Sequence, residues 1–280
     1  MVAVLLSTYN GEKYLKEQLE SLLNQEFKEW KLYVRDDGST DSTKQIIEEY
    51  ARNYPDITVL EDHQPNLGAA NGFLHILEQI DAPYYMFCDQ DDVWMKEKIA
   101  VMMDRIRKEE KKSGNEPLLV ISDAIVTDQE LKPVSDSFWN LNKFPPELLL
   151  KNSSYINIFN AAPGCTMLFN RNLKNIIPLQ DSKILMHDWF LMIFALEKGK
   201  VLIEHRPLMF YRQHENNAIG ASKVTLVRKL KSVFFTSAER RERERKVYDF
   251  VKRYTNISKP QFYLMKFKFN IFRYFSGRKT

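Results

Sequence analysis

The chain contains 280 residues, of which 44% are apolar and 28% charged, and its formal net charge is +4. These values are ordinary for a soluble globular protein and allow one large core, alone or with a smaller helical annex. Two cysteines, Cys88 and Cys165, are too few for a disulfide framework or a zinc site, and no apolar run reaches the roughly 18 to 20 residues of a transmembrane helix.

The cysteines and the first residues of the chain predict a cytoplasmic protein. Both cysteines lie within apolar runs, which is typical of buried, reduced thiols. Residue 1 leads directly into a strand-like apolar run, so we expect no signal peptide. The chain is therefore predicted not to cross a membrane.

The positive charge is concentrated in the last part of the chain. Residues 223–280 contain 17 lysine and arginine residues against 4 aspartate and glutamate residues, a net charge of +13. Residues 1–222 consequently carry a net charge of −9. A basic segment on an acidic body favours an anionic partner, such as a lipid surface or a nucleic acid.

The first hundred residues alternate strand and helix patterns. Short apolar runs predict strands at residues 2–8, 31–34, 57–60 and 84–88. Apolar residues at helical spacing predict helices at residues 14–23 and 69–79, and a further helix capped by residues 39–42. Such alternation with short links implies a parallel sheet with right-handed crossovers. Ligands bind at the carboxyl ends of such strands, where the polar residues 8–10, 36–37 and 89–92 fall.

The second half of the chain has a less regular pattern. We predict a helix at residues 96–112, a strand at 118–127, and a loop with a short helix over the site at 138–154. A turn into a strand is expected at residues 160–169, a helix at 188–196 and an extended segment at 201–211. From residue 224 onward the pattern is helical and basic, with Pro260 as the clearest break.

The segment FCDQDD places three carboxylates at the end of a predicted strand. Asp89, Asp91 and Asp92 would repel one another unless a cation neutralised them. Oxygen ligands on a turn suit Mg²⁺ or Mn²⁺, shared with a diphosphate. A solvated acidic turn without a metal is the competing interpretation.

Two further segments are candidates for nucleotide binding. In VRDDGSTDST, Asp36 and Asp37 follow a strand directly, and carboxylates there can accept hydrogen bonds from a base or a ribose. The same residues would also serve as capping groups of an ordinary strand-to-helix turn. In STYN, Tyr9 could stack on a base, although a tyrosine at a strand end can equally be a packing residue.

Seven segments together resemble family 2 glycosyltransferases of the GT-A fold, and the later segments resemble the bacterial rhamnosyltransferase branch. They occur in the family's order and approximate spacing: LLSTYNGEKYL, VRDDGSTDST, NLGAANGF, FCDQDD, NAAPGCTMLFNR, HDW and YRQHENNAIGAS. The resemblance implies an α/β GT-A domain, Rossmann-like with a mostly parallel sheet, over residues 1–222. Its nucleotide-binding half would be about residues 1–115 and its acceptor half about 116–222, followed by a basic helical extension at 223–280.

The resemblance also implies roles for individual residues. Asp188 of the HDW segment would be the general base. The nucleotide would be bound by Thr8, Tyr9, Asp36, Asp37 and Asp89. Mn²⁺ or Mg²⁺ would be held by Asp91 and His214, with Asp89 as a further ligand. The acceptor side would include Gly164, Cys165 and Trp189.

The implied function is an inverting transfer of a sugar, with L-rhamnose from dTDP-L-rhamnose as the first candidate and a UDP-hexose as the alternative donor. The acceptor would be a cell-surface polysaccharide or a lipid-linked saccharide. YRQH stands where processive members have Q-x-x-R-W, which disfavours a processive polymerase. A nucleotidyltransferase would need a glycine-rich triphosphate loop, which STYNGEKYL does not supply. A nucleic-acid-binding module would leave the acidic segments unexplained.

The basic C-terminal segment has three interpretations. Its helices could be solvated without a partner, dock on the protein's own core, or lie on an anionic membrane at the inner face. Aromatic and apolar residues at three- and four-residue spacing predict a membrane-facing stripe formed by Phe262, Met265, Phe269, Phe272 and Phe275. These aromatics alternate with cations rather than with base-reading polar residues, so we expect no nucleic acid partner.

Overall fold

The computed structural model describes residues 1–62, 64, 66–180, 184–215 and 237–276, with the side chains of the last two helices described for residues 241–271. Within these residues nine strands form one sheet. The strands are β1 (Val2–Thr8), β2 (Trp30–Asp36), β3 (Ile57–Val59), β4 (Tyr84–Cys88), β5 (Val93–Trp94), β6 (Leu118–Thr127), β7 (Pro133–Ser135), β8 (Met167–Asn170) and β9 (Lys200–Arg212).

Ten α-helices are found in the same described ranges. They are α1 (Leu15–Leu23), α2 (Thr43–Asn53), α3 (Gly68–Gln79), α4 (Lys98–Ser113), α5 (Phe138–Asn142), α6 (Glu147–Lys151), α7 (Arg171–Asn175), α8 (His187–Lys198), α9 (Ser237–Tyr254) and α10 (Lys259–Ser276). Short 3₁₀ turns occupy Ser153–Asn157 and Gly164–Thr166. No helix in the described part of the chain combines the length and the apolar character that spanning a bilayer requires.

The predicted elements that fall within the described residues are confirmed, and the structure adds three short elements that the sequence pattern did not show. β5, β7 and α7 have two, three and five residues, too few to show a period. Residues 224–236 of the predicted basic helical segment lie outside the described residues. The predicted break at Pro260 is displaced: the proline is the second residue of α10, and the helices are separated by residues 255–258. Proline is tolerated in the first turn of a helix because the N–H it lacks has no partner there.

The strand order is β3-β2-β1-β4-β8-β6-β9-β5, with β7 paired to β6. β1 pairs in parallel with β2 and β4, β2 with β3, and β6 with β9, whereas the short strands β5, β7 and β8 run antiparallel to their neighbours. The prediction of a mostly parallel sheet is confirmed. The chain moves outward from β1 to β3 and then returns to β4 on the other side of β1, so β1 and β4 flank the switch point at which such sheets bind ligands.

Helices cover both faces of the sheet. Successive side chains of a strand point to opposite faces, and β1 shows this clearly. Ala3 and Leu5 belong to the core cluster shared with α3, α8 and the C-terminal helices, whereas Val4 and Leu6 belong to the cluster shared with α1, α2 and α4. All four side chains are fully buried, which explains why β1 is a continuous apolar run rather than an alternating one.

The C-terminal helices dock on the core of the domain. Phe262 and Phe269 are 0% and 4% exposed, and Met265 is half-buried against the same cluster. The ring of Phe269 lies 5.4 Å from that of Phe144 and 5.5 Å from that of Phe159. The prediction that Phe262 and Phe269 face a membrane is therefore wrong, because both side chains pack against the core of the protein itself. The side chains of Phe272 and Phe275 lie outside the described residues.

A second apolar face of α10 points away from the core. It is formed by large side chains that are all at least 40% exposed: Tyr263, Leu264, Phe267 and Ile271. Three of them follow one another at four-residue spacing, so they lie along one side of the helix. We call these four residues the outer face of α10.

The two faces of α10 predict a contrast in stability between two phenylalanine variants. Phe262→Ala removes a fully buried ring and should lower the free energy of unfolding by about 3–5 kcal/mol. Phe267→Ala, at a side chain that is 63% exposed, should change it by no more than about 0.5 kcal/mol. Urea denaturation measures both, and equal, small effects would show that α10 is not docked as described.

Candidate active site

A large cavity, with a volume of about 970 Å³, lies at the carboxyl ends of β1 and β4. Its wall combines most of the residues that the sequence predicts for the site: Thr8, Tyr9, Asp37, Asp89, Asp91, Gly164, Asp188 and Trp189. Three predicted residues lie outside the lining, namely Asp36, Cys165 and His214. The cavity therefore joins the nucleotide-binding and acceptor halves predicted from the sequence.

The turn after β1 presents an exposed tyrosine. Gln90 holds this turn from the neighbouring strand end: its Oε1 accepts the N–H of Tyr9 at 2.9 Å, and its Nε2 donates to the Tyr9 carbonyl at 3.0 Å. Asn10 follows with φ 47°, a left-handed conformation that asparagine tolerates better than most residues. The ring of Tyr9 is 52% exposed, so it is accessible to a planar ligand. Nothing in the sequence pattern indicates this role of Gln90.

The carboxylate of Asp36 accepts hydrogen bonds from the turn that follows β2. It accepts the N–H groups of Ser39 at 2.8 Å and Gly38 at 3.1 Å, and the hydroxyl of Thr8 at 3.0 Å. The capping interpretation of this residue describes these contacts, whereas its predicted contact with a nucleotide stays a prediction.

Asp37 lines the cavity while it anchors the start of α3. Its carboxylate accepts the N–H groups of Leu67 and Gly68, both at 2.8 Å, and Nη1 of the buried Arg35 at 2.7 Å. A carboxylate offers about four acceptor positions, so roughly one remains for a ligand. Arg35 in turn binds Asp62 at 2.5 Å, which fixes the guanidinium under Asp37.

The acidic turn after β4 contains carboxyl groups with perturbed protonation. Desolvation, together with the nearby charge of Asp91, raises the pKa of Asp89 to about 7. Burial and the same neighbour raise the pKa of Asp92 well above its usual range. Oδ2 of Asp92 is buried without a hydrogen-bond partner among the described residues. Crowded, partly unsatisfied carboxylate oxygens are the donor set that Mg²⁺ or Mn²⁺ would satisfy.

Two residues from a distant part of the chain, Arg212 and His214, contact this turn. The backbone N–H of Arg212 donates to Asp92 Oδ1 at 3.0 Å, its Nε donates to the Asp91 carbonyl at 2.8 Å, and its Nη2 pairs with Glu17. His214 Nε2 lies 2.7 Å from Asp91 Oδ2. The structure thus brings together Asp91 and His214, two of the residues predicted as metal ligands. It adds Arg212, which the sequence did not single out.

Cys165 lies beneath the acidic turn rather than in the cavity wall. Its sulfur and carboxylate oxygens of Asp89 and Asp92 all lie within 4.8 Å of one another. The fully buried Lys98 donates to the Cys165 carbonyl at 2.6 Å and lies 4.0 Å from the centre of the Trp94 ring. Burial lowers the pKa of Lys98 to about 8. In the sequence Lys98 looks like an ordinary helix lysine, so its position behind the acidic turn could not be foreseen.

Asp188 is the buried carboxyl group of the other half of the cavity. It lies in the first turn of α8, is 7% exposed, and accepts the N–H groups of Trp189 at 2.6 Å and Gly164 at 3.2 Å. Burial raises the pKa of Asp188 to about 6, although these two N–H groups oppose the shift. A carboxyl group with this pKa is largely ionised at neutral pH and is a stronger proton acceptor than an ordinary aspartate.

The sequence of the chain matches the model of one protein family. The sequence model of Glycosyl transferase family 2 matches residues 3–177, more than half of the chain. The chain belongs to glycosyl transferase family 2. A relative from Shigella flexneri named dTDP-rhamnosyl transferase RfbG is 32% identical over 232 residues, which cover 78% of this chain and 74% of the relative.

Solved structures show the same fold. S. aureus TarS 1–349 in complex with UDP-GlcNAc has a TM-score of 0.58 and 21% identity, and the match covers 92% of this chain and 74% of that one. The mannosyltransferase PcManGT from Pyrobaculum calidifontis, in complex with GDP-Man and Mn²⁺, has a TM-score of 0.54 and 16% identity, covering 77% and 58%. The predicted GT-A fold is confirmed.

In this family 2 glycosyltransferase the residue before Asp188 is also buried. The His187 ring packs against Phe73 at 4.3 Å and Phe87 at 4.7 Å, and neither ring nitrogen has a partner within the described residues. Burial lowers the pKa of His187 to about 3, so the ring is neutral. A Cβ on Gly164 would lie 2.4 Å from His187 Nε2, which explains why glycine is needed at that position beside the catalytic candidate.

Proposed function

We propose that this glycosyltransferase moves a sugar from a nucleoside diphosphate to a saccharide hydroxyl with inversion, with Asp188 as the general base. The observation that carries the proposal is that a buried, proton-accepting carboxyl group lines the same cavity as the acidic turn. The acceptor oxygen forms a bond to the anomeric carbon, the bond from that carbon to the diphosphate breaks, and the acceptor proton passes to a carboxylate oxygen of Asp188. The Trp189 and Gly164 N–H groups hold that carboxylate in place.

The residues of the acidic turn fit a divalent cation. Asp89 and Asp91 line the cavity, His214 lies against Asp91, and the orphaned oxygen of Asp92 lies behind them. We assign Asp91, His214 and Asp89 as the residues that would hold Mn²⁺ or Mg²⁺. When bound, such an ion would neutralise charge on the diphosphate leaving group.

For the donor we propose dTDP-L-rhamnose, supported by the 32% identity to a relative named as a dTDP-rhamnosyl transferase. A UDP-hexose is the alternative, since the structurally similar TarS has been solved with UDP-GlcNAc. In either case Tyr9 would lie against the base and Asp37 would use its remaining acceptor position toward it. The acceptor we propose is a cell-surface polysaccharide or a lipid-linked saccharide.

The donor and the metal are tested in one screen. We expect dTDP-L-rhamnose, tested beside UDP-glucose, UDP-GlcNAc and GDP-mannose, to give the largest thermal stabilisation and the fastest nucleotide release with Mn²⁺. Chelation should abolish both effects. Asp91→Asn should lower turnover by about 10²-fold or more, because a metal contributes several kcal/mol of transition-state stabilisation.

The matched control for that screen is Asp104→Asn, an exposed aspartate of α4 that pairs with Lys108. It should behave like the wild type. Full activity in excess chelator, or in a correctly folded Asp91→Asn variant, would refute the metal assignment while leaving the donor assignment intact.

The role of Asp188 is tested by Asp188→Asn, which keeps the shape of the side chain but cannot take up a proton. Turnover should fall by about 10²- to 10⁴-fold while donor affinity survives. In the wild type only the ionised carboxylate can act as base, so turnover should decline as the pH falls through about 6, and the variant should lack this decline. Normal turnover in the variant, or a product with retained anomeric configuration by NMR, would show that the base lies elsewhere.

We also propose that the protein associates with the inner face of an anionic membrane through the outer face of α10. The outer face is apolar and exposed, and residues 223–280 carry a net charge of +13. Each basic residue close to an anionic surface contributes about 1 kcal/mol, and inserted apolar side chains add a contribution that salt does not screen.

This membrane proposal predicts that the protein sediments with phosphatidylglycerol-containing vesicles far more than with pure phosphatidylcholine vesicles, and less so at high salt. The double variant Leu264→Ser, Phe267→Ser should reduce sedimentation, because it removes apolar area from the outer face. Leu150→Ser, at an exposed leucine of α6, is the control and should have no effect. Equal binding to neutral vesicles would contradict the electrostatic part, and an unchanged double variant would contradict the assignment to α10.

A further inference from the structure

The C-terminal helices form part of the wall of the active-site cavity. Six residues of α9 and α10 contribute to this wall: Arg243, Glu244, Val247, Phe262, Lys266 and Asn270. Their spacings, i, i+1, i+4 in α9 and i, i+4, i+8 in α10, place each set along one side of its helix. This part of the chain lies beyond residues 3–177, which match the family model. The cavity that holds Asp188 is thus completed by a segment outside the matched region.

Lys266 and Glu244 form an ion pair in this part of the cavity wall. Lys266 Nζ lies 2.7 Å from Glu244 Oε1, and the two side chains are 32% and 23% exposed. The pair is neutral as a unit, yet the ammonium has three N–H groups and the carboxylate has two oxygens, so both donors and acceptors are left for a ligand. Val247, which is partly exposed, adds apolar surface next to it.

This combination matches the chemistry of a neutral saccharide. Sugar hydroxyls donate and accept hydrogen bonds at the same time, and the C–H faces of a sugar ring are apolar. A phosphate group, in contrast, only accepts hydrogen bonds and would be repelled by the Glu244 carboxylate. Hydrogen bonds to charged partners are also stronger than those between neutral groups, so a single pair can fix the orientation of a bound ring.

We propose that the Lys266–Glu244 pair is a subsite for the acceptor, binding hydroxyl groups of a neutral saccharide so that its reactive hydroxyl points toward Asp188. The proposal rests on the proposed glycosyl transfer and names the substrate class and the residues of its acceptor side. Asn270 supplies a further amide to the same wall. The C-terminal helices would then determine acceptor choice, whereas the matched region holds most of the nucleotide-binding residues.

The test uses ligand-observed NMR with methyl glycosides of glucose, galactose and N-acetylglucosamine, and the full-length protein. We expect saturation transfer to at least one glycoside in the wild type. Lys266→Met and Glu244→Gln should weaken glycoside binding by about tenfold or more, and by a larger factor than they change donor affinity. Lys268→Met, at an exposed lysine of the same helix outside the cavity lining, is the control and should bind like the wild type.

Glycoside binding needs no turnover, so its outcome is separate from that of the donor screen. Lys266→Arg keeps the cation and should retain binding, which distinguishes loss of the subsite from loss of the fold. Equal glycoside binding in the wild type, Lys266→Met and Glu244→Gln would overturn the proposal. Displacement of the glycoside by inorganic phosphate, with binding lost in Lys266→Met alone, would show an anion site with Arg243 and would also overturn it.

Discussion

The structure depends on the neutralisation of one acidic turn at the switch point of the sheet. Asp89, Asp91 and Asp92 follow a buried strand, where desolvation and then the repulsion between their charges raise the pKa values of Asp89 and Asp92. Lys98 lies buried on one side of this turn and Arg212 on another, and both come from elements outside it. Lys98 and Arg212 thus place two positive charges beside the three carboxyl groups of the turn. Carboxylate oxygens crowded at one turn are suited to bind a divalent cation, which can in turn bind a diphosphate.

The long strand β9 makes this arrangement possible. It pairs with β6 from Leu118↔Lys200 to Thr127↔Arg212 and with β5 just after the acidic turn. Arg212 at its end therefore reaches Asp91, Asp92 and Glu17 of α1 together, and His214 follows two residues later. A single strand end thus links the acidic turn and α1, in the first half of the domain, to the second half. Loss of this register would separate the acidic turn from its counter-charges.

Local patterns were sufficient to predict much of the fold and the acidic residues that follow β2 and β4, whereas Asp188 was singled out only by the resemblance to the family. Parallel strands end at the same edge of a sheet, so the positions of Tyr9, Asp37 and Asp89 followed from strand boundaries alone. Lys98 and Arg212 could not be predicted, because their roles depend on long-range packing and strand register rather than on neighbouring residues. The apolar period of α10 was visible in the sequence as well. A period shows that a helix has an apolar side, but it does not show whether protein or lipid covers that side.

The three sides of α10 relate the proposed membrane contact to the proposed acceptor site. Phe262 and Phe269 fix the helix to the core, Lys266 faces the cavity, and Phe267 belongs to the outer face. Because successive residues of a helix are rotated by about 100°, the cavity side and the outer face are adjacent on one rigid element. A lipid-linked saccharide held at a membrane surface would then have its sugar close to the cavity without a large movement of the protein. The same docking that buries Phe262 against the core would fix the distance between the proposed lipid contact and Asp188.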